Sequence, residues 1–564
     1  MSKITQGGVS IKTIHNKKYF YYQWYENGKR RSKTISEEEY YKIKNGQPLE
    51  RKRAARFNNI YNLDVLTGDE LLNSVSFVSS WAKRDCFDTL LDFLRSPANG
   101  KLMTLYGLRR TGKTTLMYQA IISLKEEIDN IAYVLLNNDS TMGDLNLLLN
   151  DLSNSGYKYI FIDEITLAKD FISSCQFLSD IYALKLKIVI SGTDSLGFYI
   201  ASKEGLYNRS YMIHTTYIPF KEFSRVLNIN DVDTYIKYGG TLVIEGANYH
   251  KNVYPTFFDE KTSIEYVDTA ISRNIQNSLS NYNDGEKYPR LIGARNANQL
   301  TNIINRVVQD NNHRFVASVI NRTFKSQDYG SLKELLRKNK QSDFLRTYID
   351  QLDDEKIYQT LMDKLDILDS KVEQDTLDEL YKYFQELDLI DSYRIIDLEN
   401  RYVEEMNVFV QPGLRYSQAK ELLETLLYQD ELLDLPIELI DIIFSTLLND
   451  VKGRILEEIV LIENSKNNRS NVFKASFRIG EIDMCIYNPV LKAVDLYEIK
   501  HSKDISIEQI KNLTDEHKDQ YLIRRYGKIN KRFVLYRGKN MIKNNIEYIN
   551  VEEFLKRKIK NETK

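Results

Sequence analysis

This chain of 564 residues predicts an α/β fold built on a parallel sheet, and three observations carry that expectation. Short apolar runs at 102–106, 131–137, 159–165 and 186–192 alternate with stretches of helical spacing, the pattern of buried parallel strands joined by crossover helices. The first run leads into a glycine-containing loop and then a helix. The third ends in two adjacent carboxylates, Asp163 and Glu164, fifty residues after the loop lysine Lys113.

At roughly 150 residues per domain the chain predicts three or four domains. Hydrophobic residues make up 42% and charged residues 28%, an ordinary globular composition that excludes disordered and collagenous classes. The three cysteines, Cys86, Cys175 and Cys485, are far apart and odd in number. They form neither a disulfide framework nor a zinc spacing, and each reads as a small buried apolar residue in a reducing compartment. The opening MSKITQGGVSIKT lacks a signal peptide's apolar segment, and no uncharged apolar run approaches ~18 residues. A cytoplasmic location without a membrane span is expected. The net charge of −1 is unevenly spread: residues 1–57 hold 14 Lys and Arg against 5 Asp and Glu, and residues 500–564 hold 17 against 9. Two basic ends around an acidic centre predict DNA contact at the ends.

Residues 18–35, KYFYYQWYENGKRRSKTI, predict a β-hairpin about Asn27-Gly28, a pair that tolerates the positive φ of a tight turn. This ribbon either contacts nucleic acid through Lys29, Arg30, Arg31 and Lys33 beside aromatic rings, or packs as a hairpin with a solvated basic edge. RKRAAR at 51–56 reads as a basic linker helix. Apolar spacing from Trp81 to Leu94 predicts a helix, and Ser96 to Gly100 a loop.

Next comes the phosphate-binding loop, GLRRTGKT at 107–114. Gly107 and Gly112 let the backbone turn its N–H groups toward an anion, and the helix opening at Lys113 adds its positive end. Gly107, Leu108, Arg109, Arg110, Thr111, Gly112, Lys113, Thr114 and Thr115 are expected to hold ATP, with Lys113 on the β- and γ-phosphates. Thr114 and Asp163 would hold Mg²⁺, and Glu164 would polarise the attacking water. The strand at 186–192 should lie between the strands carrying these groups. One of Thr193, Asp194 and Ser195 at its end would report the γ-phosphate, and the spacing leaves the choice open.

Residues 260–450 read as mainly helical. TAISRNIQNSL at 269–279 and LKELLRKN at 332–339 are amphipathic, and 376–396 reads as helix, turn and strand, like part of a winged helix. Acidic residues around 353–369 argue against a broad DNA surface there. Further on, a helix at 452–463 presents Glu457, and GEIDMCIYN and AVDLYEIKHS predict two strands about a turn at Asn488-Pro489. Glu498 and Lys500, two apart, share one face, and Asp483 can face them from the next strand. Asp483 and Glu498 would bind a divalent metal, Mg²⁺ suiting oxygen ligands. Glu457 would complete the site and Lys500 would align a nucleophilic water. Gln509 is a lesser candidate.

In these residues the chain resembles bacterial and archaeal AAA-type ATPases with a C-terminal PD-(D/E)XK nuclease-like domain. The likeness rests on Gly107 to Thr114, Asp163-Glu164, SGTDS at 191–195, LYNRSYMIHTTYIPFKEF at 206–223, and the ordered set of helix Glu457, G-E-I-D and E-I-K. It implies that Arg209 acts on a nucleotide, in this subunit or a neighbouring one, and that YIKYGG at 235–240 opens a lid. The loop departs from the family pattern at Arg109-Arg110, where small residues are common, and no clear second sensor arginine is found. The implied layout is a basic hairpin module (1–57), an AAA-type P-loop ATPase domain (58–227), a lid (228–300), a helical, winged-helix-like connector (301–440) and a restriction-endonuclease-like α/β domain (441–564). Expected partners are DNA and a homo-oligomer or protein partner. The implied function is ATP hydrolysis coupled to a DNA-associated, Mg²⁺-dependent nuclease-like domain. The alternative is a nucleotide-controlled interaction ATPase whose nuclease fold binds without cutting.

Overall fold

The computed structural model describes residues 4–14, 17–26, 29–35, 40, 41, 44 and 63–557, except 169, 194–196, 199–200, 202–205, 243–255, 274, 277–289, 292–296, 326–347, 352, 369–372, 429–431, 433, 467 and 507. The segments 51–56 and 332–339, with Asp194 and Ser195, lie outside the described residues.

At the N-terminus β1 (Ile4–Ile14), β2 (Lys17–Glu26) and β3 (Lys29–Ile35) form an antiparallel sheet in that order. Glu26 pairs with Lys29, and Asn27-Gly28 lies outside the described residues. The sequence pattern had pointed to two of these strands, and β1 adds a third.

The central sheet contains β4 (Asp64–Thr67), β5 (Leu102–Tyr106), β6 (Ile131–Leu135), β7 (Tyr159–Asp163), β8 (Lys187–Gly192) and β9 (Ser210–His214), in the order β4-β6-β7-β8-β5-β9. Every neighbouring pair is parallel except β4 with β6. Alternation along β7 shows how the sheet is covered on both faces. Ile160 and Ile162 pack under Leu145, Leu148 and Leu152 of α1 (Met142–Asn154). Phe161 points the other way, into a layer with Phe87, Leu90, Leu116 and Ile121. This two-sided burial is why the strands read as continuous apolar runs. Because β5 and β7 both run parallel to β8 between them, the loop after β5 and the carboxylates after β7 open at the same edge of the sheet.

Beyond the sheet, α2 (Phe220–Leu227) and α3 (Val232–Tyr238) lead to a helical region. Its longest members are α4 (Ala297–Lys325), α5 (Pro412–Leu427) and α6 (Ile437–Ser465). A second, mixed sheet runs β11-β10-β12-β13-β14-β15-β17-β16, from β10 (Ile390–Asp397), β11 (Tyr402–Phe409), β12 (Val472–Ser476), β13 (Glu481–Asn488), β14 (Ala493–Ile499), β15 (Lys528–Tyr536), β16 (Met541–Lys543) and β17 (Ile546–Asn550). The helix, turn and strand read at 376–396 occur as the helix Gln374–Glu386 followed by β10. The hairpin β10-β11 is not a separate wing, however, because β10 pairs in parallel with β12. Among the described residues no helix is long and apolar enough to cross a membrane.

Candidate nucleotide site and carboxylate cluster

The phosphate loop leaves β5 at Gly107, whose φ is +145°. A side chain there would put its Cβ 2.5 Å from Thr215 Oγ1 and 2.9 Å from the Thr216 main-chain nitrogen, so the loop approaches the end of β9 more closely than any other residue allows. Leu108 N–H donates to Thr216 Oγ1 at 3.1 Å, and Thr111 Oγ1 donates to Leu108 O at 2.8 Å. Gly112, in a left-handed conformation, precedes the helix Lys113–Ser123. Arg109 and Arg110 are exposed, and Thr114 and Thr115 are half-buried. The Arg110 carbonyl accepts from Leu242 N–H at 3.0 Å and its guanidinium donates to Thr256 Oγ1 at 3.3 Å.

Lys113 folds back over the loop and donates to the carbonyls of Gly107 at 2.8 Å and Leu108 at 3.0 Å. Burial pushes its ammonium down to about 8, against the opposing pull of Glu164 and Asp163. Thr114 Oγ1 donates to Asp163 Oδ2 at 2.7 Å, which brings together the two residues expected to share a magnesium ion. Asp163 is 1% exposed and collects three more donors: Tyr133 Oη at 2.8 Å, the Glu164 main-chain N–H at 3.1 Å, and Ser191 Oγ. Glu164 has φ +54° and follows the strand end. Burial raises its carboxyl while Lys113 opposes the rise, and the Thr193 main-chain N–H bonds to it. Arg209 stands elsewhere. Strands β5 and β9 are parallel with Leu102 opposite Ser210 and Tyr106 opposite His214, so Arg209 lies at the far end of β9 from the loop, a strand length of about 13 Å. There its guanidinium pairs with Asp180 at 3.2 Å.

Sequence reasoning missed Tyr133 and Ser191. Each sits on a strand flanking β7, and the only local signal for Ser191 is a hydroxyl in the otherwise apolar run KIVISG.

The second group lies on the C-terminal sheet. Lys500, just beyond β14, brings together Asp483 on β13 and Glu498 on β14, its Nζ 3.3 Å from Asp483 Oδ2 and 2.6 Å from Glu498 Oε1. Ile499 N–H also donates to Asp483 Oδ2 at 2.8 Å. Burial, with Asp483 adding to it, pushes the Glu498 carboxyl up to about 8. Glu457 on α6 converges with Asp483 and with Glu481, which the sequence reading had not singled out; one oxygen from each lies within 4.8 Å of the others. Glu481 is two residues before Asp483 on β13, the spacing that puts both on one face.

Cations occupy much of this group. Glu457 is met by Arg322 at 2.9 Å, Arg454 at 2.9 Å and Lys474 at 3.3 Å, and Lys474 reaches Glu481 at 2.7 Å. Burial works to raise the Glu457 carboxyl, but Arg322, Lys474 and Arg454 hold it well below the usual range. Asp483 and Glu498 are likewise met by Lys500, while Glu498 Oε2 is buried without a hydrogen-bond partner. Gln509 turns toward its own segment and accepts from Ser506 N–H at 3.0 Å.

Residues 99–224 match the family model described as an AAA domain, so this part of the chain is an AAA-type P-loop domain. No curated protein matches the chain. Solved structures with partial likeness include Hsp104 of S. cerevisiae bound to casein, at 15% identity over 32% of this chain and 34% of that one, with a TM-score of 0.24. This chain thus spans about a third of that protein. A Walker-type ATPase of Pyrococcus abyssi is similar at 12% identity, covering 60% and 95% with a TM-score of 0.26. The Aeropyrum pernix Orc1 protein in complex with DNA is similar at 11% identity, covering 64% and 97% with a TM-score of 0.23.

Proposed function

We propose that this chain binds and hydrolyses ATP, and that the nucleotide state governs a DNA-associated, Mg²⁺-dependent nuclease-like domain at its C-terminus. The observation that carries the first half is the contact of Thr114 with Asp163, beneath a loop whose carbonyls hold the Lys113 ammonium. Thr114 and Asp163 would hold the magnesium ion, which supplies charge neutralisation at the β- and γ-phosphates. Lys113 leaves the loop carbonyls to meet phosphate oxygens, and Glu164 orients the attacking water. Arg209, remote from its own loop, serves hydrolysis only across a subunit contact.

The second half is supported by the meeting of Asp483, Glu498 and Lys500. Asp483 and Glu498 would hold the metal, and Lys500 would steady the charge that builds on the scissile phosphate. The cations on Glu457 and Glu481 favour a second reading, a nuclease fold that binds DNA or a protein without cutting. One experiment tests both: ATP turnover and Mg²⁺-dependent cutting of DNA by the wild type, Lys113→Ala and Asp483→Ala. Lys113→Ala is expected to lose ATP turnover, and Asp483→Ala to lose cutting alone. A wild type that turns over ATP and binds DNA at low salt but never nicks it establishes the second reading. A wild type without ATP turnover overturns the proposal.

A further inference from the structure

Arg84 precedes the phosphate loop by more than twenty residues and belongs to no motif, yet it is 6% exposed at the centre of the nucleotide domain. Its guanidinium carries five N–H donors, and all five are used. Nε and one Nη2 hydrogen meet the two oxygens of Glu222, each at 2.9 Å. The other Nη2 hydrogen meets Tyr217 O at 2.9 Å. The two Nη1 hydrogens meet Thr111 O and Thr215 O, each at 2.7 Å. Thr111 O belongs to the peptide that continues into Gly112 and Lys113. Thr215 is the residue whose hydroxyl Gly107 approaches. One buried cation therefore grips the loop through Thr111 O and ties it to Thr215, just after β9.

Glu222 is itself anchored. It is 3% exposed on α2, and its Oε1 also accepts from the Asp85 main-chain N–H at 2.7 Å. The first residue of α2, Phe220, donates its main-chain N–H to Glu463 Oε1 at 2.7 Å. Glu463 belongs to α6, the helix that carries Glu457. The contacts from loop to cluster thus run Thr111, Arg84, Glu222, α2, Glu463, α6. We infer that Arg84 is a positioning residue for the nucleotide, shaping the phosphate loop through Thr111 and transmitting that shape through Glu222 to α6.

The inference rests on the proposed ATP binding and is tested with it, on the full chain. Fluorescent N-methylanthraniloyl-ATP is titrated with Mg²⁺ into wild type, Arg84→Lys and Glu222→Gln, and hydrogen exchange is followed in β5–β8 and α6. A lysine offers three donors from one point and cannot span these acceptors. Arg84→Lys is expected to raise the Kd by about tenfold or more with β5–β8 exchange unchanged, and to abolish the nucleotide's effect on α6 exchange. Wild type that binds no nucleotide overturns the reading beneath. Wild type that binds, with Arg84→Lys within twofold of it, overturns the inference. Should Arg84→Lys lose protection in β5–β8, Glu222→Gln decides: a raised Kd in a protected sheet supports the role, and an unchanged Kd overturns it.

Discussion

Tyr133→Phe removes a single hydroxyl from a site where its worth can be gauged. The ring is 3% exposed and stays in place, so no cavity opens. What disappears is the 2.8 Å hydrogen bond to Asp163 Oδ2. That carboxylate is buried, and Thr114, Ser191 and the Glu164 amide remain as its donors. A hydrogen bond to a charged group contributes about 1.5–3 kcal/mol. In native-state hydrogen exchange this corresponds to amides of β7 exchanging about 10- to 150-fold faster. Freed of one restraint, Asp163 should also hold its share of the magnesium less well, and ATP turnover should fall at limiting Mg²⁺ and recover as Mg²⁺ rises. Exchange in β7 unchanged within twofold, together with wild-type magnesium dependence, would refute the reasoning.

Two further expectations concern the links to the C-terminal part. Gly240→Ala would place a Cβ 2.5 Å from Gln411 Cβ and 2.8 Å from Gln411 Cα, at a φ of +103°. The overpacking should cost about 1–3 kcal/mol, seen as a lower chemical denaturation midpoint, and an unchanged midpoint would show that α5 yields freely. Burial pushes the Glu463 carboxyl up to about 8, against an ordinary value of 4.5. Because the folded value is the raised one, its contribution to stability is full below about 4.5 and is lost as pH rises through about 8. Denaturation midpoints of Glu463→Gln against pH should lack that decline, and a parallel decline in the variant counts against the assignment.

Four of the six strands of the central sheet were legible because each is a short apolar run between helical stretches, and β5 and β7 end in residues whose chemistry is readable in place; β4, DVLT, and β9, SYMIH, are half-exposed and carry no such run. Asp163 was proposed that way, as were Asp483, Glu498 and Lys500, which lie within eighteen residues of one another. What could not be read depends on strand order and on pairings far along the chain. Tyr133 matters only because β6 lies next to β7, and Ser191 only because β8 does. Arg322 reaches Glu457 across 135 residues, and Arg84 reaches Glu222 across 138. Neither arginine stands in a local pattern that distinguishes it from a solvated charge. Arg209 illustrates the same limit: its distance from the loop emerges only from strand register.

The joining of β10 to β12 bears on how this chain could have been assembled. Residues 390–409 and 472–550 weave into one sheet with two helices passing between them. A cassette cut at residue 441 would leave β12 as a bare edge, the backbone groups of Phe473, Lys474, Ala475 and Ser476 open to pairing with another molecule. The C-terminal part can therefore be inherited, exchanged or grafted whole only together with the hairpin that precedes it. Its ancestry and that of the preceding helical segment are bound to a single unit of exchange.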